Sequence, residues 1–271
     1  MHTKERNSGS QPDRLSCLPN LVLIMIISHL SFKKCIQTSV LSKRWRNLCH
    51  QTKNIAFKES EYVNRIGCNK VFRFQGQVIN SFEIHHSNPV GLGTDIEYLI
   101  EFAISKQVNK LVLDFSNPAW RTTSDVSWRE VIIDLPECLY RQKSVESLYI
   151  YACRFDLLKF ANQDMLRSLF IGWTGLKKVE CLLSKFPLLK SLSIKNCWEL
   201  DSMMIEGQIK ELVIENCDFP LMSCSFDLPN VDIFKYSGHM FFHASFLLRK
   251  HKDRPRFLLD CRSPWALRRE R

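Results

Sequence analysis

Leu-Lys-Ser-Leu-Ser-Ile-Lys-Asn-Cys, at residues 189–197, is the stretch that decides the fold. Its apolar residues Leu192 and Ile194 alternate with polar ones, a pattern typical of a short strand with one buried face. Leu189 is spaced to pack behind that strand, and Cys197 closes the stretch with a small residue where the chain turns. The stretch therefore defines a frame, apolar-x-x-apolar-x-apolar-x-x-small or polar.

This frame recurs seven times, beginning at Ile79, Val108, Val145, Leu166, Leu189, Ile209 and Leu228. The last four intervals are 21, 23, 20 and 19 residues, in or just below the period of about 20–29 residues of leucine-rich repeats. Seven matches in series predict a solenoid of stacked repeats with parallel strands over residues 52–248. We interpret residues 117–144, within the widest interval, as an inserted, partly ordered loop on one repeat.

The segment before the repeats, residues 13–50, has a helical pattern. Pro19 suits a first helical position, because its missing N–H would be unpaired there. Apolar residues then follow at helical spacing, and a second short helix is expected around residues 33–38. Ser42 is placed to begin a third helix, in which Leu41, Trp45 and Leu48 share a face. Three such helices make a thin core, which needs a partner or a neighbouring domain to complete it.

The excess of positive charge lies at the two ends of the chain. The net charge is +10, but residues 51–248 hold 21 Lys and Arg against 23 Asp and Glu, or −2. A near-neutral repeat region argues against a groove lined with basic residues that bind phosphates, so we expect no nucleic-acid partner there. Residues 1–12 are predicted to be a disordered tail, and residues 249–271 a basic cap or tail of +6 in which Phe257-Leu258-Leu259 forms one last strand.

Several functional classes lack their sequence signatures. Eleven cysteines without paired spacing predict a reducing compartment and no disulfide framework. No Cys-x-x-Cys, phosphate loop or Gly-x-Ser-x-Gly occurs, so we expect no metal, no cofactor and no catalysis. The longest uncharged apolar run, residues 21–27, is far shorter than the ~20 residues that cross a bilayer, so we expect no membrane partner.

The open face of the predicted strands carries aromatic side chains. Residues that alternate with the buried pair include Tyr149, Tyr151, Phe170 and Phe234. Exposed aromatic residues contribute much of the energy of protein interfaces. We therefore predict that these four residues bind a partner protein, unless tight curvature or the inserted loop covers them.

Three stretches of residues 13–50 carry a family resemblance. They are Asp13-Arg14-Leu15-Ser16-Cys17-Leu18-Pro19, then Ile26-Ile27-Ser28-His29-Leu30, then Thr38-Ser39-Val40-Leu41-Ser42-Lys43-Arg44-Trp45-Arg46-Asn47-Leu48. Together they resemble an F-box, and the Ser-Lys-Arg-Trp run resembles the plant F-box/leucine-rich-repeat proteins more narrowly. The resemblance implies an α/β protein with an N-terminal three-helix F-box followed by leucine-rich repeats.

The same resemblance implies a function. F-boxes dock on the Skp-type adaptor of an SCF-type cullin-RING E3 ubiquitin ligase, while the repeats bind an unknown target protein. The adaptor-contacting positions of the family correspond to Leu18, Pro19, Leu23, Ile26 and Trp45. The resemblance thus implies a non-catalytic substrate receptor acting in the cytoplasm, the nucleus or both. The alternative is a protein-interaction scaffold that acts outside the ligase.

Overall fold

Three short helices begin the chain as the structure describes it. The computed structural model describes residues 14–15, 17–58, 78–121, 133–161, 163–200, 203–217, 224–239, 245–247 and 256–262. The helices are α1 Asn20–Ser28, α2 Phe32–Thr38 and α3 Lys43–Cys49. The tail predicted at residues 1–12 and the chain end at 263–271 lie outside the described residues.

The helices share a small apolar core. It contains six buried residues: Leu23, Ile27, Cys35, Trp45, Leu48 and Cys49. Pro19 stands immediately before α1, and its carbonyl accepts from the amides of Val22 and Leu23. Ser42 Oγ accepts from the Trp45 amide and caps α3, as the sequence predicted. Ile36 of α2 packs against the larger core that follows, so α2 connects the helices to the sheet.

A parallel sheet follows the helices. Its strands are β1 Asn54–Lys58, β2 Ser81–His85, β3 Lys110–Asp114, β4 Ser147–Tyr151, β5 Ser168–Gly172, β6 Ser191–Lys195, β7 Glu211–Glu215, β8 Ile233–His239 and β9 Arg256–Arg262. These nine described strands lie side by side in chain order, and each neighbouring pair is parallel. The strand predicted at Phe257–Leu259 is therefore present as β9, at one edge of the sheet.

Corresponding residues of successive repeats are in register. Leu148, Leu169, Leu192 and Leu212 face one another across β4–β7, and each is fully buried. The isoleucines two residues later form a second buried ladder parallel to the first. Identical side chains stacked at the strand spacing of about 4.8 Å fill one side of the sheet continuously. The frame defined by residues 189–197 is the sequence pattern of these two ladders.

The chain leaves four of these strands through a left-handed residue. Ala152, Trp173, Asn196 and Asn216 follow β4–β7 with φ between 51° and 56°. Each of their amides donates to a carbonyl of the next strand, which pins the turn to its neighbour. Cys153, Thr174, Cys197 and Cys217 come next and are buried, as a small closing residue of the frame requires.

Short elements cover the buried side of the sheet. They are the helices α4 Gly93–Ser105, α5 Glu137–Arg141 and α6 Leu182–Lys185, the 3₁₀ turns Pro118–Arg121, Leu157–Lys159 and Val179–Cys181, and five outer strands. The outer strands pair in parallel as Ile133–Asp134 with Cys153–Arg154, and as Met203–Glu206, Cys224–Asp227 and Ser245–Leu247. From β2 to β9, each connection therefore adds a described piece to a second layer.

The structure adds detail to one sequence expectation and corrects another. The predicted inserted loop at 117–144 includes Ile133–Asp134 and α5, whose Leu139 and Tyr140 are buried in the main core, so its later part is an ordinary outer-layer segment. The frame at Leu228 is wrong by three residues, because Phe234 rather than Val231 pairs with Leu212. The last repeat thus begins at Val231.

Candidate functional site

The five residues predicted to bind an adaptor fall into two groups. Leu23 is fully buried and Trp45 is 4% exposed, so both belong to the core of the three helices. Pro19 is exposed, Ile26 is 37% exposed, and Leu18 is half-buried against the same core. The side chains open to a partner are therefore Pro19 and Ile26, whereas Leu23 and Trp45 hold the helices that present them.

One face of α1 is apolar and exposed. Leu21, Val22, Met25 and Ile26 lie at helical spacing on the side opposite Leu23 and Ile27, and we call these four residues the α1 apolar face. Leu21 is 76% exposed and Met25 64%. Val40 and Leu41, in the α2–α3 loop, are also exposed. Sequence reasoning missed Leu21 and Met25, although a helix that is apolar all round signals a second apolar surface to cover.

Arg44 fixes the segment that leads into α1. Its Nε donates to Asn20 Oδ1 at 2.8 Å, and its Nη2 donates to the Leu18 carbonyl at 2.5 Å. The charged guanidinium strengthens both bonds and ties α3 to residues 18–20. Arg44 therefore orients Pro19 and the start of the α1 apolar face.

A second candidate surface lies on the open side of the sheet. The Tyr149 and Phe170 rings stack across β4 and β5 with centroids 4.1 Å apart and planes within 2° of parallel. Tyr151 lies over Gly172, where an added Cβ would be 2.6 Å from Tyr151 Cδ1. We call Tyr149, Tyr151 and Phe170 the aromatic patch, because neighbouring strands bring these three half-buried side chains together.

Phe234 does not belong to this patch. It is 1% exposed, lies on the opposite side of the sheet and contacts the Phe226 ring with centroids 5.6 Å apart. Its assignment as a partner-binding residue is therefore wrong, and the three-residue shift of the last repeat is the cause. On the open side of the sheet, Lys235 faces Val213 and Ser237 faces Glu215.

A charged cluster borders the aromatic patch on the β2–β3 side. His85 Nε2 lies 3.3 Å from Glu83 Oε2, and His85 Nδ1 lies 3.7 Å from Asp114 Oδ2. Hydrogen bonds to Asp114 and Glu83 raise the pKa of His85 to about 9. The hydrogen bond from His85, with help from Lys110 at 2.7 Å, lowers the pKa of Glu83 to about 2. Lys110 Nζ also sits 5.3 Å from the centre of the Tyr149 ring.

A second charged cluster borders the patch on the β6–β8 side. Glu215 carries two ammonium partners, Lys195 at 2.9 Å and Lys235 at 2.5 Å. Burial opposes the ionised carboxylate, but the two lysines outweigh it and lower the pKa of Glu215. The open face thus presents an aromatic centre between two salt-bridged borders, an arrangement suited to contact with a protein surface.

Two other kinds of site find no support in the part of the chain that the structure describes. Within the described ranges, no group of three His, Cys, Asp or Glu side chains is placed to hold a metal ion. Within the same ranges, none of the helices combines the length and the apolar character that crossing a membrane requires.

Comparison with known proteins relates the chain to F-box proteins. The family model of the F-box domain matches residues 15–55. A putative F-box/LRR-repeat protein of Arabidopsis thaliana is 50% identical over 249 residues, which cover 85% of this chain and 53% of the relative. A putative F-box protein of that plant is 51% identical over 86% of this chain and 54% of the relative. No solved structure matches.

The similarity extends well past the F-box. An Arabidopsis F-box protein is 38% identical over 257 residues, 87% of this chain and 55% of the relative. The alignments therefore include the sheet as well as the helices. The chain spans about half the length of the curated relatives it matches.

Proposed function

This chain carries an F-box domain and is a homologue of Arabidopsis proteins named F-box/LRR-repeat proteins, and from that premise we propose that it is a substrate-recognition subunit of an SCF-type cullin-RING ubiquitin ligase. The F-box docks a Skp-type adaptor, and through it the cullin and RING subunits. The chain itself is non-catalytic and raises the effective concentration of a target lysine near the loaded E2.

The observation that carries this proposal is the α1 apolar face. Leu23, Ile27 and Trp45 already complete the core of the helices, so Leu21, Val22, Met25 and Ile26 have no structural need to be apolar. Apolar side chains left exposed together mark a surface that another protein covers. The docking surface therefore comprises this face together with Pro19, and Leu23 and Trp45 contribute by holding the helices in place.

The repeats supply the second half of the proposed function. We take the nine parallel strands and their outer layer to be turns of a leucine-rich-repeat solenoid, as the in-register ladders and the names of the relatives suggest. The target protein binds the aromatic patch, where stacked rings provide apolar contact area and the two charged clusters provide selectivity. The free cysteines among the described residues favour action in a reducing compartment, the cytoplasm or the nucleus.

Titration calorimetry with a purified Skp-type adaptor tests the docking surface. Met25→Asp together with Ile26→Asp places two charges on the α1 apolar face, and we expect the affinity to fall at least tenfold. Both side chains are exposed, so the helices should stay folded, which circular dichroism checks. The matched control is Leu158→Asp, which changes a similarly exposed leucine in the outer layer of the repeats. Equal affinities of the double variant and the control would reject the assignment.

A further inference from the structure

Two cysteines lie side by side between α2 and α3. Cys49 Sγ is 2.9 Å from the carbonyl oxygen of Cys35, and Cys35 Sγ is 3.9 Å from the carbonyl oxygen of Cys49. The Thr38 hydroxyl completes the group, at 3.0 Å from Cys49 Sγ and 2.6 Å from the Cys35 carbonyl. The adaptor-docking surface uses neither cysteine, because both side chains point into the helical core.

The two sulfurs differ in their ionisation. The neighbouring Cys35 side chain lowers the pKa of Cys49 to about 7; the Thr38 hydroxyl acts in the same direction, and burial opposes both. The same contact, together with burial, raises the pKa of Cys35 above its ordinary value. Cys49 is therefore the sulfur that is available as a thiolate, the form that attacks a disulfide.

We propose that Cys35 and Cys49 form a dithiol that a small-molecule disulfide of the glutathione class oxidises to an intramolecular disulfide joining α2 and α3. In the first step the Cys49 thiolate attacks one sulfur of the oxidant, forming a mixed disulfide and releasing one thiolate. In the second step Cys35 loses its proton and attacks Cys49 Sγ, which releases the second thiol. Two protein thiols are oxidised, and one disulfide is reduced to two thiols.

The position of Cys49 gives the reagent a route to it. Cys35 is 2% exposed and Cys49 6%, so the first step needs a local opening. Cys49 is the last residue of α3, and helix ends open more readily than helix centres. The two cysteines are 14 residues apart in sequence, so the disulfide closes a short loop and restricts the unfolded chain. Oxidation should therefore raise the midpoint of thermal unfolding of the helical segment by several degrees.

Peptide mapping of the full chain after treatment with oxidised glutathione tests the proposal. We expect the Cys35 and Cys49 peptides to become linked by a disulfide, with a mass lower by two hydrogens. Both cysteines should then resist alkylation to the same extent. Cys17 is exposed and reports that the reagent is active. Cys197 and Cys217 are the matched control, since they also adjoin each other but are buried within the packed repeats. We expect them to stay reduced.

Two serine variants separate the steps. Cys35→Ser removes the second nucleophile, so a glutathione adduct should persist on Cys49. Cys49→Ser removes the first, so Cys35 should stay reduced. The wild-type result stands even if a variant fails to fold. The proposal would be overturned if Cys35 and Cys49 were still fully alkylated in wild-type chains whose Cys17 carries glutathione. It would also be overturned if a glutathione adduct persisted on Cys49 of the wild type as it does in Cys35→Ser.

Discussion

Gly172 is the residue on which the shape of the aromatic patch depends. Its missing side chain lets the Tyr151 ring lie against β5, and the Lys195 carbonyl closes the same space from β6. Any other residue would push the ring away from the sheet. Because the neighbouring rings of Tyr149 and Phe170 are stacked on each other, a displaced Tyr151 would also change the surface offered to a partner.

Gly172→Ala should therefore destabilise the fold by about 1–3 kcal/mol, the usual cost of overpacking. The clash is with a side chain that a second substitution can remove, so a double-mutant cycle isolates it. Denaturant melts of Gly172→Ala, Tyr151→Ala and the double variant should show that the glycine substitution costs much less once the ring is gone. Additive free energies would mean that Tyr151 does not occupy this space in solution.

His85 makes the stability of the sheet depend on pH in a defined window. Its pKa is about 9 in the folded chain against an ordinary value of 6.5, because Asp114 and Glu83 favour the charged ring. A raised pKa contributes stability that is fully present below pH 6.5 and is lost as pH rises through about 9. His85→Gln should thus lower the free energy of unfolding below pH 6.5, and the deficit should shrink towards pH 9. A deficit independent of pH in denaturant melts would contradict this.

At the scale of the element, the turns after β4–β7 all need a residue with positive φ, and the sequence meets this requirement unevenly. Asn196 and Asn216 tolerate the left-handed conformation, whereas Ala152 and Trp173 adopt it against their preference. The amide bonds to the following strand hold these two residues in place. The repeat therefore imposes its turn geometry even where the local residue disfavours it.

Ala152→Gly tests this requirement. Glycine adopts positive φ without steric cost, which offsets the entropy and the methyl burial that the substitution loses. The matched control is Ala103→Gly, at an equally buried position inside α4, where φ is negative and glycine is unfavourable by about 1 kcal/mol. We expect Ala103→Gly to cost at least about 1 kcal/mol more than Ala152→Gly in denaturant melts. Equal costs would show that the turn at Ala152 is unstrained.

The sequence predicted a strand correctly where the repeat frame can be aligned to the residues in only one way. Leu189 to Cys197 fits a single phase, and β6 lies where the frame places it. Near the end of the repeats, the frame fits equally well whether it begins at Leu228 or at Val231. The structure has the frame that begins at Val231, which buries the larger Phe234 and leaves Ile233 only partly buried. The strand β1 was missed because its frame begins with the polar Thr52. Which side of α1 faces a partner was equally undetermined, since both sides are apolar.

At the scale of the whole molecule, the two candidate surfaces lie on different parts of the chain. The α1 apolar face belongs to the first 50 residues, and the aromatic patch belongs to β4 and β5. The net positive charge is divided between the two ends of the chain: the first 50 residues, which include the α1 apolar face, carry +6, and residues 249–271 also carry +6. Strand β9 lies among those residues and pairs with β8, so removing the whole basic end would also expose an edge of the sheet.

The last prediction separates a protein receptor from a nucleic-acid binder. Tyr149→Ser, Tyr151→Ser and Phe170→Ser together should abolish capture of the cellular target, because they remove the apolar contact area, and should leave adaptor affinity unchanged. Deleting only residues 263–271 keeps β9 and should leave capture intact, with little dependence on salt, whereas phosphate contacts would weaken steeply as salt rises. Quantitative affinity purification across a salt series measures both. Loss of capture in the truncated chain, with normal capture by the triple variant, would move recognition to the tail.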